Sequence, residues 1–551
     1  MKKFFTLLAM AVFAISTAMA NWQPSDMDAT QLDAQGTKGQ VQMKTLRTPE
    51  GKIILSWLRG EMNEGVFSYK LHLQVFDANG NAQFGDEGII VSDKPTRTWT
   101  SDYALALAPN GDILLGYTDI RKDVEEQTLV ESYLYRYTQL GEPVWNVDGV
   151  LFPSLKAHDN AFAIEDISPK ICVSGNNIYA AVMHTEYYKE AANEDNWQPS
   201  PWFPNQQMPD SVDVNDGAWQ LVLINEDGTA ASEAPFQLKS KILVMEPAAD
   251  GNAYLVYDNE NLTLDAQLVD NSLSNVWRDP ITIEQRPVSN GMFVPTPLSQ
   301  VDENGGLFLS YRVLESWSGY QVLNYLTAEG EFFEEAVSCN GRIDGDSGSA
   351  AMAVKDDNAF VAWEFEDGNF FMSVNELNAQ GDNMWLGDIA YGQDLDETES
   401  WGFTPVKVIP QSDGWVLLYG KSTSWNGADF MVVKLDDMGG IMWSKQICEP
   451  GFKSSGFSVT YDDKYAYIFY TQEEQYDDNW NVIPGSGGMF VMCVDIVGKT
   501  TSVNELQEKA GIVKTEIYTV DGRRVQEMES GINIVRMTDA NGNVTTTKIL
   551  K

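Results

Sequence analysis

Basic residues, histidine and cysteine are scarce in this sequence. Lys and Arg number 37 against 80 Asp and Glu in 551 residues, a formal charge of −43, with 3 His and 4 Cys. Such a deficit repels phosphate backbones and anionic lipid, which excludes nucleic-acid binding and membrane docking through basic patches. No Cys-x-x-Cys and no His/Cys cluster occurs, so structural zinc is not expected. Beyond the first twenty residues no run reaches the ~18 consecutive apolar residues of a membrane-spanning helix. Helical periodicity is also missing. What is present, 43% hydrophobic and 11% aromatic with 21% charged, suffices to bury a core.

Lys2 and Lys3, the apolar run from Phe4 to Ile15, and then Ala18 and Ala20 follow the charged, apolar and small-residue order of a secretory signal peptide. The order predicts a leader at residues 1–20, cleaved after Ala20. Asn21 rather than Cys follows, so no lipid anchor is expected there. In an oxidising compartment disulfides are permitted, but Cys172, Cys339, Cys448 and Cys493 lie far apart in apolar, strand-like segments. They read as small buried hydrophobes.

A repeat runs through the chain. Its unit is a strand, a short turn usually closed by Gly, and an aromatic four positions on: Asp77-Ala78-Asn79-Gly80 then Phe84, Gln139-Leu140-Gly141 then Trp145, Ala379-Gln380-Gly381 then Trp385, Asp437-Met438-Gly439 then Trp443. Asp270-Asn271-Ser272-Leu273 then Trp277 is a copy without Gly. Turn positions 80, 141, 228, 273, 330, 381, 439 and 498 recur about every sixty residues, and each period holds four short β-rich runs. An all-β fold follows: a β-propeller at residues 36–500, of eight blades or, if the count is off by one, seven. Ring closure needs a strand from the other terminus, which assigns residues 21–35 as an N-terminal segment supplying it. The repeated aromatic reads as a plug between neighbouring sheets, its indole N–H directed to a carbonyl.

The unit Asp112 to Arg121, with Tyr133 to Tyr137 and Gly141-Glu142-Pro143-Val144-Trp145, resembles propeller repeats of proteins exported by type IX secretion. From Ser502 the composition shifts. Thr515 to Tyr518 leads to Asp521-Gly522-Arg523-Arg524-Val525, then Gly531-Ile532-Asn533-Ile534-Val535 and a terminal Lys551. Residues 503–551 read as a small C-terminal β-sandwich-like domain with a tight Asp-Gly turn. They are similar to the C-terminal sorting domain of the type IX (Por) system, Asp521, Gly522, Arg523, Val525, Gly531 and Lys551 matching its pattern. The resemblance implies the type IX machinery as partner, passage across the inner and outer membranes of a Gram-negative cell, and a secreted or surface-attached product. Asn533 departs from that pattern, standing where an aromatic is common.

Three stretches between repeat strands are long: Asp119 to Glu131, Tyr187 to Asp216 and Thr471 to Gly488. They belong to blades 2, 3 and 8 and are expected on one side of one face. Tyr187, Tyr188, Trp197, Trp202, Phe203, Tyr476 and Trp480 stand there among carboxylates, a mixture suited to a glycan or an extracellular protein. The plain alternative folds these rings onto their own blades. No cofactor is predicted; calcium on the acidic loops is left open. A Ser-His-Asp site needs His72, His158 or His184, and none adjoins a nucleophile-elbow motif. Vicinal cysteines of quinoprotein dehydrogenases and sialidase Ser-x-Asp-x-Gly-x-x-Trp boxes are absent. The expectation is a secreted or cell-surface binding protein rather than an enzyme, against an extracellular carbohydrate-active hydrolase or lyase, or a structural surface component.

Overall fold

The computed structural model describes residues 22, 29–33, 40–63, 66–94, 96, 103–124, 127–193, 195–199, 206–232, 234–259, 263–285, 297–315, 318–331, 337–344, 350–366, 370–379, 384, 389–390, 402–424, 427–447, 454–472, 487–497, 512–519, 523–525, 532–539 and 544–550. The chain divides into two units, residues 1–462 with 466–494 and residues 463–465 with 495–551.

The first unit is built of antiparallel sheets in a propeller-like arrangement. β1 (Thr30–Asp33) is followed by a meander of β2 (Gln40–Arg47), β3 (Ile53–Asn63), β4 (Val66–Phe76) and β5 (Ile89–Ser92). The next is β6 (Ala104–Leu107), β7 (Ile113–Val124), β8 (Gln127–Tyr137) and β9 (Val150–Leu151). The third is β10 (Ala163–Ser174), β11 (Asn177–Ala191), β12 (Ser211–Ile224) and β13 (Phe236–Leu238). A short parallel pairing of β10 with β8, Ile164 opposite Leu129, joins these two into one eight-stranded sheet.

Four-stranded sheets follow: β14 (Lys241–Pro247), β15 (Ala253–Asn259), β16 (Thr263–Val269) and β17 (Ile281–Gln285); then β18 (Leu298–Val301), β19 (Leu307–Glu315), β20 (Ser318–Leu326) and β21 (Val337–Asp344). Next come β22 (Ala350–Lys355), β23 (Asn358–Glu366), β24 (Phe370–Asn378) and β25 (Ile389–Ala390), then β26 (Gly402–Gln411), β27 (Gly414–Ser424), β28 (Gly427–Leu435) and β29 (Ile441–Gln446). The last contains β30 (Ser454–Tyr461), β31 (Tyr465–Gln472) and β32 (Gly488–Asp495). Its fourth place is taken by β1, antiparallel to β32 with Thr30 opposite Val491. The second unit holds one sheet of β33 (Ile512–Thr519), β34 (Arg524–Val525), β35 (Ile532–Asp539) and β36 (Val544–Leu550), in the order β34-β33-β35-β36.

The first strands β2, β6, β10, β14, β18, β22, β26 and β30 each approach the next, and β30 approaches β2. Cores lie between successive sheets: Leu71, Leu73 and Val75 pack with Ile113, Leu115 and Tyr135, and Leu55 and Trp57 with Phe469 and Val491. A sheet covered on both faces needs apolar residues at every position of its middle strands rather than every second one. Ala253 to Tyr257 and Trp415 to Tyr419 are accordingly buried without interruption.

At three repeats the aromatic stitches its sheet to the turn of the following one. Phe84 stands over Gly141, Trp145 over Gly228 and Trp277 over Gly330. Trp145 Nε1 donates to Glu226 O at 2.8 Å and Trp277 Nε1 to Ala328 O at 3.3 Å, in each case two residues before the glycine. Trp22 occupies the same place over Gly80, 4.8 Å from Phe76 and 5.8 Å from Phe469 between ring centroids. The N-terminal stretch thus supplies the last sheet with both a strand and a plug. In the turns themselves, the Asp270 carboxylate accepts from the N–H groups of Ser272 and Ser274. Leu273 there adopts φ 58°, where Gly80 and Gly330 adopt 83° and 86°. The copy lacking Gly keeps the left-handed turn at a cost of about 1 kcal/mol.

Candidate functional site

Among the described residues β11 and β12 form the longest hairpin, in register from Ile178 opposite Ile224 to Ala191 opposite Ser211. Its base, Tyr179 to Val182 with Leu221 to Leu223, is buried, while Lys189 to Ala191 and Ser211, Asp213 and Asn215 are exposed. The segment expected as a loop from Tyr187 to Asp216 is therefore ribbon on both flanks. Ser211 to Asp216 alternates apolar and polar residues with no Gly or Pro to interrupt the pairing, which is the pattern of a half-buried strand. Asp119 to Glu131 likewise continues β7 and β8 as a hairpin, pairing to Val124 opposite Gln127.

Of the expected ligand-binding aromatics, the structure brings Tyr187, Tyr188 and Trp197 onto this one ribbon. Tyr187 Oη donates to Glu165 Oε2 at 3.1 Å, and the Tyr188 ring stacks on His158 at 3.7 Å with 12° between planes. Tyr187 thus meets β10, and Tyr188 meets the segment between β9 and β10. Trp197 is half-buried, and its N–H donates to Asn193 O. The Asn193 side chain in turn accepts from the N–H groups of Asp195 and Asn196. Trp202, Phe203, Tyr476 and Trp480 lie outside the described residues, as do Asp521, Gly522, Gly531 and Lys551 of the sorting pattern. In the second unit, Arg523 is exposed and Val525 is half-buried opposite Ile517.

At the ribbon's base Asp166, His184 and Glu186 are 2%, 4% and 1% exposed. His184 Nδ1 lies 2.5 Å from Asp166 Oδ1, and its Nε2 lies 2.9 Å from Glu186 Oε1. Glu186 also accepts from the N–H groups of Ala157 and His158 and faces His158 Nδ1 at 2.9 Å. Ser154 donates to Asp166 Oδ2. Burial disfavours a charged imidazole, but the bond to and charge of Asp166, then of Glu186, outweigh it and raise the His184 pKa. For Glu186 burial acts upward, and the donors surrounding it outweigh that and lower its pKa. An imidazole with a carboxylate at each nitrogen is an imidazolium donating twice. While protonated it has no lone pair with which to serve as a general base, and Ser154 binds the acid rather than the histidine. The cluster clamps the ribbon to its sheet.

A second set of residues was not anticipated. The first strands carry β-bulges, in β2 between Val41 and Lys44, in β10 between Ile167 and Lys170, and in β26 between Pro405 and Lys407. A lysine is the first paired residue after each of these three, whereas Val244 and Ser458 follow the bulges of β14 and β30. Lys44 Nζ donates to Tyr103 O and lies 5.0 Å from that ring's centroid; Lys170 Nζ is 5.7 Å from Trp219 and Lys407 Nζ 6.0 Å from Tyr461. Burial lowers the Lys407 pKa. Lys44 and Lys170 line a cavity of about 240 Å³ with Tyr103, Leu105 and Leu243. A cavity of about 370 Å³ adjoins it, lined by Leu46, Leu107, Cys172 and Glu246. Burial pushes Glu246 up to about 7 against the bond from Ser299 Oγ, and the buried Cys172 thiol, beside Glu246, up to about 12. The available signal was no more than a lysine within each of these strands in a chain poor in basic residues. Among the described residues no group of three or more His, Cys, Asp or Glu side chains is arranged to hold a metal ion.

No family model and no curated protein matches the chain. Among solved structures it is similar to a puromycin hydrolase at 13% identity and TM-score 0.38, over 83% of this chain and 62% of that one. It is similar to a Trypanosoma rangeli sialidase at 10% and 0.31, over 90% and 70%. An acylaminoacyl peptidase gives 9% and 0.33, over 81% and 60%. The chain thus spans about 62% of the puromycin hydrolase's length.

Proposed function

We propose that this chain is an exported binding protein on an eight-bladed propeller, presenting the β11–β12 ribbon to a glycan or an extracellular protein. The observation that carries the reading is the ribbon itself. It extends beyond the packed part of its sheet, ends in exposed polar residues around Trp197, and is held at its base by a buried ion cluster instead of a catalytic one. A recognition element on a rigid scaffold needs both features. The eight-blade count is supported by the eight first strands in cyclic contact, with β1 and Trp22 completing the last sheet. The leader at residues 1–20 and the sorting pattern near residues 521–551 support export by type IX secretion and a secreted or surface location. The test is an array of glycans and extracellular-matrix proteins, probed with the purified chain with and without calcium. Binding that is lost in Trp197→Ala with an unchanged circular dichroism spectrum is expected. Release of reducing sugar from a polysaccharide panel would instead make the chain a hydrolase or lyase.

A further inference from the structure

Beyond ribbon recognition, the two cavities on the first strands form one graded passage. They share Leu105, Ile171 and Met245, and in going from one to the other the lining advances by two residues in the same sense on every strand: Lys44 to Leu46, Lys170 to Cys172, Val244 to Glu246. At about 3.3 Å per residue the voids follow one another along the strands over roughly 7 Å. Among the described residues the first is lined by two lysines and by no carboxylate side chain, in a protein with more than twice as many acids as bases. Between the ends the wall is aliphatic. In the second cavity the one ionisable carboxyl among the described residues is Glu246, which burial keeps largely protonated up to about neutral pH.

Each part narrows the ligand. Two lysines on one cavity favour an anion, and each ammonium group lies near an aromatic ring, Lys44 at Tyr103 and Lys170 at Trp219. An aliphatic middle gives a bare inorganic anion nothing to bury, and among the described residues no amide side chain lines either void to read sugar hydroxyls. We propose that this passage binds a linear alkyl carboxylate, its carboxylate between Lys44 and Lys170 and its chain running past Leu105, Ile171 and Met245 toward Glu246.

The test is calorimetric titration of the full secreted chain with carboxylates from butanoate to dodecanoate, and with alcohols of equal length. Each methylene that enters the passage is expected to tighten binding about fourfold until the second cavity is full. Decanol should bind at least tenfold more weakly than decanoate, and that difference should vanish in the Lys44→Met, Lys170→Met double variant. Leu105→Trp, which narrows the middle, should abolish chain-length dependence while butanoate still binds; near-UV circular dichroism establishes that each variant is folded. Three results would overturn the assignment: no binding at any chain length, equal binding of decanoate and decanol to the native protein, or inorganic phosphate binding as tightly as decanoate. None of these three results bears on the ribbon, whose array binding is read separately with Trp197→Ala.

Discussion

The sheet β14–β17 and the sheet β10–β13 begin alike and end differently. In β15 every residue from Ala253 to Tyr257 is buried, and the hairpin to β16 closes soon after Asn259. β11 starts in the same way, with Tyr179 to Val182 buried, and then runs nine residues further as an alternating, increasingly exposed ribbon. The change from continuous to alternating burial marks where packing between neighbouring sheets stops. Up to that point the sequence answers to two covering faces; beyond it, to one or none. The His184 cluster sits at that border, where a ribbon leaving the stack needs a polar anchor.

This contrast orders the expected effects of substitution. Leu255→Ala, in the wholly buried strand, should lose about 3–5 kcal/mol in denaturant unfolding. Trp22→Ala, which empties the plug between the last and first sheets, should lose about 3 kcal/mol. A similar loss in Leu255→Ala and near neutrality in Trp22→Ala would mean that the ring does not depend on its N-terminal piece.

At the border, His184→Gln should lose about 3 kcal/mol near pH 5.5 by leaving two buried carboxylates without their cation. The native contribution of His184, whose pKa is raised, is full below 6.5 and falls away as pH rises through the folded value. That of Glu186, whose pKa is lowered, is present above 4.5 and falls away as pH drops through the folded value. The penalty of His184→Gln should therefore be largest between pH 4.5 and 6.5 and shrink on the alkaline side. Glu246 has the opposite relation to its surroundings. A buried carboxyl raised to about 7 stabilises the fold only while protonated, so stability is lost as pH rises through 7. Glu246→Gln should match the native chain at pH 5 and exceed it by about 2 kcal/mol at pH 9. Smallest of all, Val214→Ala on the outer ribbon should cost less than about 1 kcal/mol.

How much of this was legible follows from which signals are local. Turn glycines and the aromatic four positions later are local, and one or both marked each repeat; even Leu273 was found by its neighbours Asp270 and Trp277. The ribbon was misread as loop because Tyr187 to Ala191 and Ser211 to Asp216 are polar, although the alternation of Val212 and Val214 was there to be counted. His184 and Glu186, two apart on one strand, were assignable to one face; their partner Asp166 pairs with His184 only across β10 and β11. The lysine passage was hidden for a different reason. A bulge shifts the register by a residue or two, so Lys44 and Lys170 follow no period readable along the chain. Only the side-by-side placement of first strands brings them to one cavity.

The most direct test of the account is a ribbon deletion. Replacing residues 190–212 with Asn-Gly would join Lys189 to Asp213 by a two-residue turn and keep Tyr187, Tyr188, Glu186 and His184. The ribbon-as-recognition-element account predicts a melting temperature within a few degrees of the native protein and complete loss of binding on the glycan and matrix arrays. Retained binding would contradict it, as would a collapse in melting temperature, which would make the ribbon part of the scaffold.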